Sequence, residues 1–214
     1  MNENSQNCPV PFSIKAESFE WINGCKDDPD DLCSHGNVTL KIGPETISCY
    51  CCTSAAALRM IRTLTEDRSL QDGLFGEQML PCCGFNMYAD ETLENVTISG
   101  CDSGTDYSVR HQGNLVILTL ENGHAFAVSM DNYMREVLQF ARRVEDFYRC
   151  CSVKKIPENS IERDGYAAFW NEWRRRMGER QLKNGGKEAA EAEIEIVKNE
   201  INRKLYQKPP LLNA

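Results

Sequence analysis

Residues 107–130, YSVRHQGNLVILTLENGHAFAVSM, decide the fold. Three short apolar and β-branched runs, Tyr107 to Arg110, Leu115 to Leu120 and Ala125 to Met130, are separated by Gln112-Gly113-Asn114 and by Asn122-Gly123. Gly and Asn tolerate the left-handed backbone that tight hairpin turns require, so runs spaced this way pair as antiparallel neighbours. Leu115 to Leu120 is almost continuously apolar, which predicts a central strand buried on both faces. From Asp131, a good N-cap, the period changes: Val137, Phe140, Ala141, Val144, Phe147, Tyr148 and Cys151 recur at helical spacing. A helix with one such stripe covers the apolar face of a sheet.

Working outward, Asn95 to Ser99 reads as a further strand. Residues 66–94 are irregular, with Gly73, Gly76, Pro81 and Gly84 and short strands near Met79 and Phe85. Upstream, Asn37 to Ile42 and Thr46 to Cys51 alternate with period 2 around the turn pair Gly43-Pro44. Ser54 then caps a helix, Ala55 to Thr65, with Ala57, Leu58, Ile61 and Leu64 on one side. Downstream, a polar loop over 152–163 leads to a helix from Asp164 to about Leu182, built on Tyr166, Phe169, Trp170, Trp173 and Met177. Phe169 and Trp170 are adjacent, so one of them is expected at the surface. Asn184-Gly185-Gly186 ends that helix. A last helix, Glu188 to Tyr206, carries only the thin stripe Ala190, Ile194, Val197, Ile201 and Leu205. So narrow a seam docks on a neighbour or forms a homodimer through residues 188–206.

The expected architecture is α+β: an antiparallel meander with one early helix, followed by C-terminal helices packed on the sheet. Residues 9–182 form one domain and residues 183–214 a helical appendage.

Composition narrows the function classes. At 41% apolar and 26% charged, the 214 residues have ordinary globular usage. No run approaches the ~18–20 apolar residues of a membrane span, and Met1 to Cys8 is polar, unlike a secretory signal. The expected location is therefore the cytoplasm. Eleven cysteines, an odd number with three vicinal pairs, then read as free thiols. Residues 1–130 hold 18 acidic and 7 basic side chains, and residues 131–214 hold 14 and 17. An acidic front half disfavours nucleic acid and anionic membranes and suits a basic protein partner. Arg174, Arg175 and Arg176 fan around a helix and cannot form one basic stripe.

Phosphate-binding glycine motifs are missing from the sequence, and no cofactor is expected. Catalysis by a thiol needs a histidine beside a cysteine. Only His35, His111 and His124 are available. His124 is expected to share a strand face with Phe126, Val128 and Met130. Two candidate sites remain. The run Asp27, Asp28, Asp30 and Asp31, with Trp21 as an aromatic anchor, forms an acidic contact surface. Cys25, Cys33 and His35 are the candidate metal ligands, because vicinal cysteines on a strand point to opposite faces and chelate poorly.

Two segments, Phe140-Ala141-Arg142-Arg143-Val144-Glu145-Asp146-Phe147-Tyr148 and Gly165-Tyr166-Ala167-Ala168-Phe169-Trp170-Asn171-Glu172-Trp173, together with the acidic meander, give residues 12–180 a character. It resembles small cytosolic bacterial proteins of the polymorphic-toxin immunity type. That resemblance implies a non-enzymatic, toxin-neutralising protein-binding module. The alternative reading is a thiol- or zinc-dependent enzyme or sensor built on a Cys/His cluster.

Overall fold

The computed structural model describes residues 8–70, 77–84 and 86–184. In chain order the elements are β1 (Phe12–Ala16), β2 (His35–Ile42), β3 (Glu45–Cys52), α1 (Thr53–Arg62), β4 (Leu80–Pro81), β5 (Asn86–Ala89), β6 (Val96–Ser99), β7 (Gly104–Thr105), β8 (Tyr107–Gln112), β9 (Leu115–Leu120), β10 (Ala125–Ser129), α2 (Met130–Cys150) and α3 (Ser160–Asn184). The class is α+β, with antiparallel strands before the long helices. Residues 188–206, where a dimer seam was expected, lie outside the described residues.

The strands do not form one continuous meander. They divide into two three-stranded sheets, β1-β2-β3 and β10-β9-β8, and two ribbons, β4-β7 and β5-β6. Val10 joins the sheets by donating its N–H to the Ala127 carbonyl at 2.8 Å. Strand β9 is central, as its apolar run predicts, but its two faces differ. Val116, Leu118 and Leu120 are buried while Leu115, Ile117 and Thr119 are only partly covered. The sheet therefore has one core face and one shallow face.

Helix α1 is the centre of the molecule. Every residue from Thr53 to Ile61 is buried, including the polar side chains of Thr53, Ser54 and Arg59. The small residues Ala55, Ala56 and Ala57 let α2, α3 and β2–β4 approach from several sides. Its N-cap is Cys52 and not Ser54, which lies within the first turn. Arg59 donates to the carbonyls of Gln78 and Ile98, so its buried charge is hydrogen-bonded.

Helix α2 begins at an N-cap Ser129 whose hydroxyl accepts from the Asn132 N–H, two residues before the expected Asp131. It packs on β1 and α1, and Phe12 meets Tyr133 at 4.9 Å between ring centroids. Helix α3 crosses β5 so closely that a Cβ on Gly165 would lie 2.0 Å from the Met87 carbonyl oxygen. Only glycine fits at that crossing. Phe169 and Trp173 are fully buried and Trp170 is left partly exposed, as the sequence requires of adjacent helical residues. The three arginines are half-buried and bonded within the fold: Arg174 bonds Asn171, Arg175 bonds Asn95, and Arg176 bonds Glu172 and Glu66.

Candidate metal centre

The β4-β7 ribbon is short, and beyond its Pro81–Gly104 end both strands lead to cysteine. Leu80 pairs with Thr105 and Pro81 with Gly104. The ribbon continues by one bond past Pro81, where the Cys82 N–H donates to the Ser103 carbonyl at 2.9 Å. Cys82 and Cys83 therefore sit in a bend and not on a strand. The expectation that vicinal cysteines diverge fails here for that reason. Opposite them, Gly100 brings the 100–103 segment onto Cys83: a Cβ at Gly100 would lie 2.2 Å from the Cys83 carbonyl oxygen. Any other residue would lift Cys101 away.

The result is a convergence of three sulfurs. Cys82, Cys83 and Cys101 have their Sγ atoms within 4.8 Å of one another, the one such group of potential metal ligands among the described residues. The Cys101 N–H also points at the Cys83 sulfur at 3.0 Å. A backbone donor aimed at sulfur stabilises negative charge there, as a thiolate ligand requires. Around a zinc-sized ion with metal–sulfur bonds of ~2.3 Å, sulfurs stand about 3.8 Å apart. The observed spacing needs only small side-chain rotations to reach that. Cys82 is exposed and the other two are partly covered, so an ion has a path in.

The thiols within the group differ. The hydrogen bond from Cys83 draws Cys101 below the ordinary thiol range. Burial pushes Cys83 up to about 11, and the bond to Cys101 raises Cys82. A metal ion, which displaces thiol protons outright, would override these differences.

Behind the group lies a second pair. Cys33 donates to the Gly84 carbonyl at 3.0 Å, and Cys52 packs where a Cβ on Gly84 would come within 3.2 Å of its sulfur. The neighbouring Cys33 thiol holds Cys52 down to about 6, helped by His35 and by the first turn of α1. Cys33 is correspondingly pushed up. His35 stands opposite Cys52 in the β2-β3 register. It is buried, neither ring nitrogen has a hydrogen-bond partner, and the ring stacks on Tyr50 at 6.0 Å.

The metal set expected from the sequence, Cys25, Cys33 and His35, is therefore not the set that converges. Cys25 is exposed on the loop before β2, whereas Cys33 and His35 are interior. The other histidines face carboxylates and not thiols. His111 Nδ1 lies 2.6 Å from Asp67, and His124 Nδ1 lies 3.0 Å from Glu45. His124 is outside β10 and exposed, contrary to the strand-face expectation.

The acidic run is organised differently from a contact surface waiting for cations. Asp27 accepts from the Ser152 N–H and hydroxyl, and those bonds draw its carboxyl below the ordinary range. Asp28 accepts from Asn23 and from the Asp30 N–H, Asp31 from the N–H groups of Ile22 and Cys33, and Asp30 pairs with Lys155 at 2.9 Å. Trp21 is wholly buried against Phe147 and Tyr148, with the Lys154 ammonium 2.9 Å from its ring centroid. It anchors the loop inward. The exposed apolar residue of the loop is Ile22, 63% accessible.

The signal that could have found the metal group was present in the sequence. Pro81 and Gly84 flank the vicinal pair and Gly100 precedes Cys101, which marks both cysteine positions as turns. Compared with protein-family models, curated proteins and solved structures, the chain matches none. The functional reading rests on the site alone.

Proposed function

We propose that this protein binds a thiophilic metal ion through Cys82, Cys83 and Cys101, and acts as a metal-dependent sensor or store. The observation that carries the reading is the convergence of three sulfurs within 4.8 Å on two glycine-bent turns. Packing alone does not favour this arrangement, because none of the three thiols is in the core. Soft sulfur donors select soft or borderline ions. Three ligands leave a coordination position open to solvent at Cys82, suited to exchange and not to a closed structural site.

The test is anaerobic titration of the reduced full chain with Cd(II), followed by the sulfur-to-metal charge-transfer absorption. One equivalent should saturate the band, and Cys82→Ser and Cys101→Ser should each remove most of it. A band of equal strength in both variants would place the ion elsewhere.

A second reading keeps the protein-binding module, of the toxin-neutralising cytoplasmic type, with loop 22–33 as the contact surface for a basic partner. Exposed Ile22 on a hydrogen-bonded loop supports it. Because Asp27, Asp28 and Asp31 hold the loop together, its test is the pair Ile22→Ser and Asp30→Asn. Both should weaken a partner recovered with the tagged chain, and unchanged binding by both would remove this reading.

A further inference from the structure

The three-sulfur group stands in a stretch of chain with no positive charge of its own. Between Arg68 and Arg110 the sequence has seven acidic residues and no lysine, arginine or histidine, and Asp102 directly follows Cys101. Two guanidinium groups reach this stretch and bond oxygens there. Arg59 donates to the Gln78 and Ile98 carbonyls, and Arg68 to the Tyr107 and Glu77 carbonyls and to Asp106.

That setting bears on what the three thiols can hold. Three neutral thiols that give up their protons to a zinc ion leave the site one charge more negative. With copper(I) they leave it two charges more negative. Among acidic neighbours each added negative charge costs free energy. Coordination number points the same way. Zinc completes a tetrahedron with a fourth ligand, and no fourth cysteine, histidine or carboxylate joins Cys82, Cys83 and Cys101 among the described residues.

Trivalent arsenic meets both conditions. It takes three thiolates and no other ligand, because its lone pair fills the fourth corner, and the product is uncharged. We propose that the group is a site for arsenous acid, As(OH)3, captured by the sulfurs of Cys82, Cys83 and Cys101. This rests on the reading above, that the three sulfurs together hold one thiophilic element, and narrows it to which element. Exposed Cys82 makes the first bond, its neighbour Cys83 in the same bend makes the second, and Cys101, held against Cys83 by its own N–H, makes the third. The step balances without redox change. Three arsenic–oxygen bonds break, three arsenic–sulfur bonds form, and each thiol proton leaves with a hydroxide as water. Arsenic stays trivalent.

The experiment is anaerobic titration of the reduced full chain with sodium arsenite, followed by native mass spectrometry. The wild type should gain one arsenic and lose three hydrogens, the mass signature of three arsenic–sulfur bonds. Cys82→Ser and Cys101→Ser should each bind at least ~100-fold more weakly, and any adduct they form should lose two hydrogens and keep one hydroxyl. Cys25→Ser/Cys150→Ser should match the wild type. A three-hydrogen adduct of wild-type affinity in either Cys82→Ser or Cys101→Ser would overturn the inference. So would a chain that takes one equivalent of Cd(II) at these cysteines and no arsenic, and the metal-binding reading would then stand. Failure to retain either arsenic or Cd(II) would sink both.

Discussion

The loop of residues 22–33 and the three-sulfur group beside β4 and β7 are both dense in ionisable side chains, and they differ in where those groups point. In the loop, Asp27, Asp28 and Asp31 accept hydrogen bonds from the chain itself, and Lys154 and Lys155 come in from beyond α2 to meet the loop. In the three-sulfur group the sulfurs meet chiefly one another, with Cys101's N–H behind Cys83. A polar group whose bonding is complete within the fold has little left for a ligand. Donors that converge without complete bonding are the ones to examine, whatever the sequence makes conspicuous.

The extreme of the closed kind is Glu172, 1% exposed, which accepts from Arg62, from Arg176 and from the Val96 N–H. Glu172→Gln should cost about 3 kcal/mol in urea unfolding, because it leaves two guanidinium groups with one less counter-charge. Burial alone would raise this carboxyl, but the bonds and charge of Arg62 outweigh it and bring it below the ordinary glutamate range. A depressed native pKa contributes stability that is present above the ordinary value and is lost as pH falls through the lowered one. Glu172→Gln should flatten that acid limb.

Next in size is the loop's inner anchor. Lys154→Met removes a cation from the Trp21 face and a donor from the Asp28 carbonyl, and should cost ~2 kcal/mol. Faster proteolysis within 22–33 and a changed tryptophan emission should accompany it. Asp31→Asn keeps one of the two oxygens that accept from the Ile22 and Cys33 N–H groups and replaces the other with an NH2 that cannot accept. It should cost ~1 kcal/mol, seen as faster hydrogen exchange at Ile22 and Cys33. The smallest effect belongs to the open region: Cys82→Ser should change metal-free stability by no more than ~0.5 kcal/mol. A large loss there would show that the thiol is structural after all.

Much of the fold was legible because periodicity is a local signal. The hairpins around Gly113 and Gly123, both at positive φ, and the apolar stripe of α2 lie where the pattern puts them. Three things were not legible. Strand β1 alternates over only five residues. The all-round burial of α1 depends on elements far away in sequence. The way the two sheets join depends on contacts such as Val10 with Ala127, far apart in sequence. At the site, the conspicuous Asp27-Asp28-Pro29-Asp30-Asp31 run drew attention to side chains whose bonds are made within the fold, partly to Ser152 and Lys155. Cys82 and Cys101 are nineteen positions apart in the chain, brought together by a two-residue ribbon. Sequence spacing carries no record of that pairing. Trp21 illustrates the same limit: its neighbours Phe147, Tyr148 and Lys154 come from more than a hundred residues on.

The central claim is that Cys82, Cys83 and Cys101 hold one thiophilic ion together. Its most direct measurement is the affinity of the reduced chain for Cd(II), compared between wild type, Cys101→Ser and Cys25→Ser. The account predicts at least ~100-fold weaker binding in Cys101→Ser and wild-type affinity in Cys25→Ser. Equal affinities for wild type and Cys101→Ser would contradict it.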